Sequence, residues 1–391
     1  MQSYATMAVI AIAIATPPLG YVAFARANNR FRKLVWVTAF LTFDLILFGA
    51  FTRLTDSGLG CPDWPGCYGQ TDPLSASESI RSAEAALPTG PVTMVKAWIE
   101  MLHRYLAMTV GLLTVVLLAS SWRRWTRDGD ARSKRTAWLT SLIFAIVCFQ
   151  GALGAWTVTM KLQPLIVTAH LLGAMTLLAL LVVLGLREQP ASMSESVARL
   201  RVAAAIALAA LVVQVALGGW VSANYAVLAC QDFPRCQGQW VPPGMEFSAG
   251  FTLWRDLGQT GFGPDSPAIP FAALTAIHWT HRTFGWLAFA AIGWLVWRAR
   301  KVKATRALAH AIAALLVAQF VTGVSTVLFQ WPLAIAIGHS AGAAALIAAL
   351  AAVNVRVWKA PRVPAVPIVP TQAHALSASV GSSARLDSRA F

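Results

Sequence analysis

Long apolar runs separated by short polar segments dominate this chain. Nine of the runs are close to the length of about 20 residues that an α-helix needs to cross the hydrocarbon core of a membrane. The pattern therefore predicts an all-α polytopic membrane protein with nine helices. The runs lie at 5–25, 34–54, 97–121, 137–159, 165–186, 202–223, 271–297, 307–329 and 333–356.

The first run has the weakest pattern, because it contains Pro17 and Pro18 and is barely long enough to cross. A secretory signal would carry a basic segment before its apolar core. Residues 1–7 contain no lysine or arginine, and no clear cleavage site follows. We interpret the run as a retained transmembrane helix, with a cleaved signal as the alternative.

Composition agrees with a membrane protein, since 57% of the residues are hydrophobic, 12% are charged and the mean hydropathy is +0.61. The net charge is +15, but the basic residues form short clusters between apolar runs. They indicate topology, with cytoplasmic loops after the first, third and seventh runs, and not a nucleic-acid partner. The long loops at 55–96 and 224–270 carry more acidic than basic residues and are predicted to lie outside.

The chain repeats itself at an offset of 169 positions, at which Cys61–Gly69 aligns with Cys230–Gly238. Repeats of this kind identify duplicated structural units. The segment Glu100–Arg104 aligns with His278–Arg282 at an offset of 178, because the second outer loop is longer. Further pairs at 169 are Gln150 with Gln319, Gly154 with Gly323, Thr157 with Thr326, His170 with His339, and Gly173 with Gly342.

Each repeat contains four predicted helices, and an even number gives both repeats the same orientation. This predicts two tandem four-helix transmembrane bundles related by a pseudo-twofold axis along the membrane normal, plus one extra N-terminal helix. The predicted divisions are 1–33 for the extra helix and its basic cytoplasmic turn, 34–186 for the N-terminal bundle, 187–201 for a cytoplasmic linker, 202–356 for the C-terminal bundle and 357–391 for a disordered cytoplasmic tail.

Four histidines occupy matching places, His103 and His170 in the first repeat and His281 and His339 in the second. Each lies 6 to 12 residues after a proline that marks a predicted helix start. At about 1.5 Å per residue, all four lie in the outer half of the membrane. Two facing imidazoles, with no cysteine or carboxylate cluster to complete a zinc site, suit the axial positions of a haem. A buried hydrogen-bonding role is the alternative, which the duplication of the pair disfavours.

Small residues near these histidines would let a flat macrocycle approach the backbone, although close helix packing is an equal alternative. The glycines concerned are Gly111, Gly151, Gly154, Gly173, Gly323, Gly338 and Gly342.

Ionisable side chains inside an apolar helix indicate function, because their burial in hydrocarbon is unfavourable. Glu100 precedes His103 by three residues, and His278 precedes His281 by three, so each pair shares a helix face. A glutamate beside a haem or substrate can accept a proton or stabilise a developing cation, whereas a histidine is better suited to hydrogen bonding. The difference predicts that the first bundle carries out chemistry and the second holds a permanent cofactor that moves electrons.

Arg104 and Arg282 each follow a candidate ligand. A guanidinium binds carboxylates in bidentate geometry, so both are predicted to pair with haem propionates. Pairing with an internal carboxylate, or extension towards the membrane surface, is the alternative.

Each outer loop contains two cysteines separated by five residues. The spacing and the outer compartment permit a small disulfide loop between Cys61 and Cys67 and between Cys230 and Cys236. A rigid lid over the mouth of each bundle is the favoured interpretation, and thiol-disulfide exchange is the alternative.

The run Thr52–Gly69, followed by Glu100-x-x-His103-Arg104 and the three matching histidine sites, resembles the haem A synthase family over about 34–356. The resemblance implies an oxidoreductase that converts the C8 methyl group of haem O to a formyl group by successive hydroxylations, which gives haem A for terminal oxidases. It also implies a multi-pass protein of the cell's inner (cytoplasmic) membrane. The cysteine loops and haem sites would then lie toward the outer face.

The family's residue roles carry over by position. His281 and His339 would ligate the iron of haem b, with Arg282 and His278 beside it. His103 and His170 would ligate haem O, with Arg104 beside it, and Glu100 would be the essential carboxylate. The resemblance further implies a functional disulfide at Cys61 and Cys67, and the extra N-terminal helix departs from the family's eight-helix plan. The implied partners are the haem O substrate, membrane lipid, a haem O synthase and an unidentified electron acceptor.

Two other functions remain open on the residues alone. A dihaem transmembrane electron carrier would need two equivalent sites, and Glu100 opposite His278 argues against equivalence. A haem transporter would bind its haem weakly and form no product.

Overall fold

The computed structural model describes residues 2–26, 29–187, 195–258 and 268–359, which contain α-helices and no β-strand. The helices in these ranges are α1 Gln2–Ala23, α2 Arg30–Leu54, α3 Ser77–Ala86, α4 Met94–Asp128, α5 Ala131–Thr159, α6 Pro164–Arg187, α7 Glu195–Ala198, α8 Arg201–Ala223, α9 Phe247–Gly250, α10 Phe271–Ala299, α11 Arg306–Leu328 and α12 Leu333–Lys359. All nine predicted runs are long helices, which confirms the predicted all-α class.

Among these described helices, eight are long and apolar enough to cross a membrane. The ninth long helix, α10, stands where the seventh span was predicted. It falls outside the eight because His278, His281 and Arg282 lower its mean hydropathy. It packs along α8 and α11, both of which are among the eight.

Capping residues determine where α4 begins and ends and where α5 begins. Thr93 begins α4, and its side chain accepts a hydrogen bond from Lys96 N at 3.2 Å. Gly129 ends α4 in the left-handed conformation, and Asp130 then caps α5 by accepting from Arg132 N and Ser133 N. A glycine followed by an aspartate is a common way to end one helix and begin the next. The turn between α4 and α5 is therefore short, and α4 extends past the predicted end at residue 121.

The backbone repeats the offset of 169 seen in the sequence. In the described ranges, the non-glycine residues with positive φ form four pairs at this offset: Asp56 with Tyr225, Tyr68 with Gln237, Lys161 with Gln330, and Leu162 with Trp331. A left-handed conformation costs a non-glycine residue about 1–2 kcal/mol. Its recurrence at matched positions shows that the two repeats have the same backbone conformation at these turns.

The two halves meet along a seam formed by α2, α6, α8 and α12. Apolar side chains from both halves join in one buried cluster, in which Leu181, Leu184, Ala204 and Leu350 are fully buried. Lipid tails are as apolar as leucine, so close packing rather than the hydrophobic effect holds such a seam.

At one end of the seam, Arg53 on α2 reaches into the other half. Its Nη2 donates to Ser222 O at 2.6 Å, and its Nη1 donates to the Tyr225 hydroxyl and to Asp56 Oδ1, each at 3.0 Å. The Tyr225 hydroxyl donates to Asp56 Oδ1 at 2.8 Å. Arg53 aligns with Ser222, and Asp56 with Tyr225, so this contact joins equivalent positions of the two repeats.

The extra helix α1 packs on the first half, beside α4 and α2. Met7 is buried in a cluster with Cys61, Ile80 and Met101, close to the first disulfide loop. Parts of the predicted linker, at 188–194, and of the predicted tail, from 360 onward, lie outside the described residues. The domain boundaries and the direction of the pseudo-twofold axis stay predictions.

Candidate functional site

Each of the four candidate ligands lies against a glycine of another long helix. A Cβ placed on that glycine would come within 3.0–3.6 Å of the imidazole Cε1. The absence of a side chain therefore lets the ring lie directly on the neighbouring backbone. The contacts are Gly49 with His103 at 3.0 Å, Gly154 with His170 at 3.6 Å, Gly218 with His281 at 3.1 Å, and Gly323 with His339 at 3.0 Å.

We call these four glycines, each in contact with a histidine ring, the glycine cradles. They follow the internal repeat, because at the offset of 169 Gly49 aligns with Gly218 and Gly154 with Gly323. Gly154 and Gly323 were among the glycines predicted from the sequence. Gly49 and Gly218 were missed, although sliding the chain by 169 positions pairs them as well. Each of the four histidines also keeps some exposed surface.

The first pair, His103 and His170, is close enough for an electrostatic interaction between the rings. The Phe48 ring stacks on His103 with 6.2 Å between the ring centroids. Within the described part of the chain, the buried Nδ1 atoms of both histidines have no hydrogen-bond partner, and neither does Nε2 of the nearby Gln150. The hydrogen bonding around the first pair is therefore incomplete.

The second pair, His281 and His339, also interacts electrostatically, but its ring nitrogens have partners. Gln214 Nε2 lies 3.2 Å from His281 Nδ1 and donates to His281 O at 3.1 Å. Thr322 Oγ1 lies 3.1 Å from His339 Nδ1, and Gln319 Nε2 lies 3.3 Å from His339 Nε2. The two pairs thus share their position but differ in their hydrogen bonding.

The donor set fits haem. Among the described residues, no group of three or more His, Cys, Asp or Glu side chains could hold a bare metal ion. Haem iron already has four ring nitrogens and needs only axial ligands, which a pair of imidazoles can provide. Unbonded buried nitrogens, such as Nδ1 of His103 and of His170, are unusual for a purely structural core.

Gly218→Val is expected to push the His281 ring out of place and to weaken haem binding. Overpacking of this kind costs about 1–3 kcal/mol, which corresponds to about 5- to 150-fold weaker binding. The measurement is the haem-to-protein ratio of the purified chain. Gly293→Val is the control, because a Cβ at Gly293 meets nothing within 4 Å. Equal losses in both variants would show that the cradle at Gly218 has no special role.

Glu100 and His278 occupy equivalent places and make equivalent contacts. Glu100 is 4% exposed, and its Oε2 accepts a hydrogen bond from Cys61 N at 2.8 Å. His278 is 5% exposed, and its Nδ1 accepts from Cys230 N at 3.2 Å. Both side chains therefore anchor the first cysteine of an outer loop to a helix. In the first half alone, that anchor is a carboxylate.

The arginines hold the same loops. Arg104 Nη2 donates to Glu100 Oε1 at 2.5 Å, and its Nη1 donates to the carbonyl oxygens of Asp63, Pro65 and Gly66. The structure therefore places Arg104 on an internal carboxylate, which was the alternative to a haem propionate.

Arg282 makes the equivalent contacts in the second half. Its Nη2 donates to Pro234 O at 3.2 Å and to Arg235 O at 2.9 Å. Its Nη1 is buried without a partner among the described residues. One edge of this guanidinium thus remains available to a further acceptor.

The two cysteine loops have matched structures. The Cys61–Cys67 and Cys230–Cys236 pairs are at disulfide distance, with Cα atoms 4.9 Å and 4.7 Å apart. In each loop an aspartate binds two backbone N–H groups, Asp63 in the first and Asp232 in the second. Burial acts to raise the pKa of Asp232, but the backbone hydrogen bonds from Gly238, Gln237 and Asp232 itself, together with the charge of Arg282, outweigh burial and lower the pKa. Each loop is therefore cross-linked and internally hydrogen-bonded, and its role as a lid stays a prediction.

Comparisons with known proteins cover most of the chain. The family model described as cytochrome oxidase assembly protein, COX15-CtaA, matches residues 32–351. The chain is 37% identical to a Heme A synthase of Shewanella oneidensis over 83% of this chain and 97% of that protein. It is 30% identical to a Heme A synthase of Sphingopyxis alaskensis over 82% of this chain and 90% of that protein. The match to the family contains both histidine pairs and both cysteine loops, and it begins after α1.

Proposed function

The chain belongs to the COX15-CtaA family of cytochrome oxidase assembly proteins, and we propose that it is a haem A synthase. The proposed reaction oxidises the C8 methyl group of haem O to a formyl group by successive hydroxylations. One observation carries the proposal: two haem-type histidine pairs stand at matched positions with unequal surroundings. Equal sites would suit a carrier, whereas unequal sites suit one substrate and one resident cofactor.

We assign the substrate to the first half and the cofactor to the second. His103 and His170 would hold haem O, and their unbonded Nδ1 atoms agree with a ligand that comes and goes. His281 and His339 would hold haem b, and their hydrogen-bonded rings agree with a resident group. When bound there, haem b would supply one-electron transfer.

Glu100 is proposed as the carboxylate that serves the chemistry. It lies one helical turn before His103 and is neutralised by Arg104, which is itself fixed to the loop above. Hydroxylation of a methyl carbon with water as the oxygen donor releases protons as well as electrons, and a buried carboxylate can accept a proton or stabilise positive charge that develops at that carbon. The same side chain keeps the first cysteine loop closed over the site through Cys61 N.

The surroundings of the enzyme complete the proposal. The chain would lie in the cell's inner (cytoplasmic) membrane, with the cysteine loops and both histidine pairs toward the outer face. A haem O synthase would supply the substrate, and an electron acceptor would reoxidise haem b. Nothing in the charge pattern favours a nucleic-acid partner.

Pigment extraction tests the function directly. Cells that make haem O but have no other haem A synthase are expected to accumulate haem A when they express this chain, and none when they carry an empty vector. Chromatography of the extracted haems measures the product. His103→Ala should stop haem A formation, because the substrate would lose an axial ligand. Recovery of haem b alone from the wild-type chain would favour an electron carrier, and recovery of unaltered haem O would favour a transporter.

A further inference from the structure

The hydroxyl of Thr322 determines which nitrogen of His339 carries the hydrogen. Thr322 Oγ1 donates its own hydrogen to Ala318 O at 2.8 Å. Its lone pair is therefore the partner of His339 Nδ1, 3.1 Å away, and it accepts the Nδ1 hydrogen. A neutral imidazole has one N–H group, so Nε2 keeps its lone pair and faces the donor Nε2 of Gln319 at 3.3 Å. In this structure the Gln319 amide occupies that lone pair, and a metal bound at Nε2 would take the place of the amide.

The first half lacks this hydroxyl. Thr322 aligns with Leu153 at the offset of 169, and the adjacent glycine cradles Gly323 and Gly154 align as well. Leu153 is 2% exposed and has no polar atom to offer. Accordingly, His170 Nδ1 has no partner within the described ranges. The two rings occupy equivalent positions, but only His339 has a hydrogen-bond partner at Nδ1.

The other ligand of each pair repeats the contrast. Gln214, which contacts His281, aligns with Leu45 at the offset of 169. Gly285 gives the Gln214 amide room, since a Cβ there would lie 3.3 Å from Gln214 Nε2. At the offset of 178 found for this helix, Gly285 aligns with Ala107. Both histidines of the second pair thus have polar partners at positions where the first half has leucine.

We propose that Thr322 is a positioning residue that retains haem b, and that Leu153 keeps the first pair a weaker ligand set from which substrate and product exchange. This inference rests on the proposed function. A partner that fixes the tautomer and orientation of a ligating histidine typically changes metal affinity by about 10–100-fold. Residence of a haem in either half is therefore set by whether the histidine of the last helix has a hydrogen-bond acceptor at Nδ1, as His339 has and His170 has not.

Thr322→Val tests the inference, because valine keeps the shape of threonine and removes the hydroxyl. The full chain is purified with its resident haem, and transfer of that haem to excess apomyoglobin is followed by absorbance. Thr322→Val is expected to release the resident haem about 10–100-fold faster than the wild type. Its midpoint potential should rise, since the imidazole donates less electron density to the iron. Thr322→Ser restores the hydroxyl and should return both quantities to near the wild-type values.

The reciprocal variant Leu153→Thr gives the first half the same hydroxyl. Haem O loaded into this variant should leave about 10–100-fold more slowly than from the wild type, while the resident haem is unaffected. If Thr322→Val does not fold, Leu153→Thr decides alone. Unchanged release rates in the folded variants would overturn the inference and leave the proposed function standing. A wild-type chain that purifies with no haem would overturn both.

Discussion

Replacement of Glu100 by alanine is expected to reduce haem A formation by at least about 100-fold, in the range that loss of an acid–base group causes. Haem binding should survive, because the four histidines are untouched. The alanine variant alone is ambiguous, however. It leaves the buried Arg104 without its carboxylate, and breaking a buried ion pair in this way costs about 3–5 kcal/mol. Loss of activity could then follow from a displaced loop.

The repeat provides the matched control, Glu100→His, which copies the second half. His278 shows that a histidine at this place can accept the hydrogen bond of the first loop cysteine. Glu100→His should therefore keep the loop and its haems but still lose haem A formation. The measurements are haem A by chromatography, haem content by absorbance and the melting temperature. Haem A formation at the wild-type rate in Glu100→His would remove the carboxylate from the chemistry.

Loss of the resident haem is expected from His281→Ala and equally from His339→Ala. Each change removes one of two proposed axial ligands. The loss of haem affinity should exceed the roughly 10–100-fold that loss of a hydrogen-bonding partner of a ligating histidine causes, so the haem-to-protein ratio of the purified chain should fall. The reduced-minus-oxidised absorption spectrum should at the same time lose the features of bis-histidine ligation.

Two control variants separate this effect from general damage. His310 is exposed and near the start of α11, so His310→Ala should leave the spectrum unchanged. His103→Ala should preserve the spectrum of the resident haem while haem A formation stops. If His281→Ala and His339→Ala both retain the wild-type spectrum, neither residue is a ligand of that haem.

The fold was largely predictable, because crossing a membrane requires long apolar helices that are visible in any hydropathy pattern. The ends of the helices were less predictable than their presence. α4 continues to Asp128 through a basic segment predicted to be a loop, and Gly129 with Asp130 sets its end. α10 differs in another way. It is a full-length helix, but its mean hydropathy is lower than that of the eight candidate membrane spans because it contains His278, His281 and Arg282.

The candidate site was predictable in its residues but not in their contacts. The repeat singled out Glu100 and His278, yet only the three-dimensional fold brings Cys61 N and Cys230 N to them. The contacts of Arg104 with loop carbonyl oxygens have no signal in the sequence, because they join residues about 40 positions apart through tertiary structure. The Thr322 and Leu153 difference was readable at the offset of 169. Only the structure shows that the Thr322 hydroxyl lies beside the His339 ring.

The contact at the end of the seam, where Arg53 meets Ser222 and Tyr225, has the form of an isologous interface, in which a surface patch meets its own copy. That form is typical of a symmetric homodimer, so the seam is what duplication and fusion of a dimerising ancestor would leave. In a dimer of identical chains, every mutation appears at both sites. A fused chain is free of that constraint, and each of its halves can mutate alone. Arginine and aspartate could then face serine and tyrosine here, just as glutamate in one half stands opposite histidine in the other.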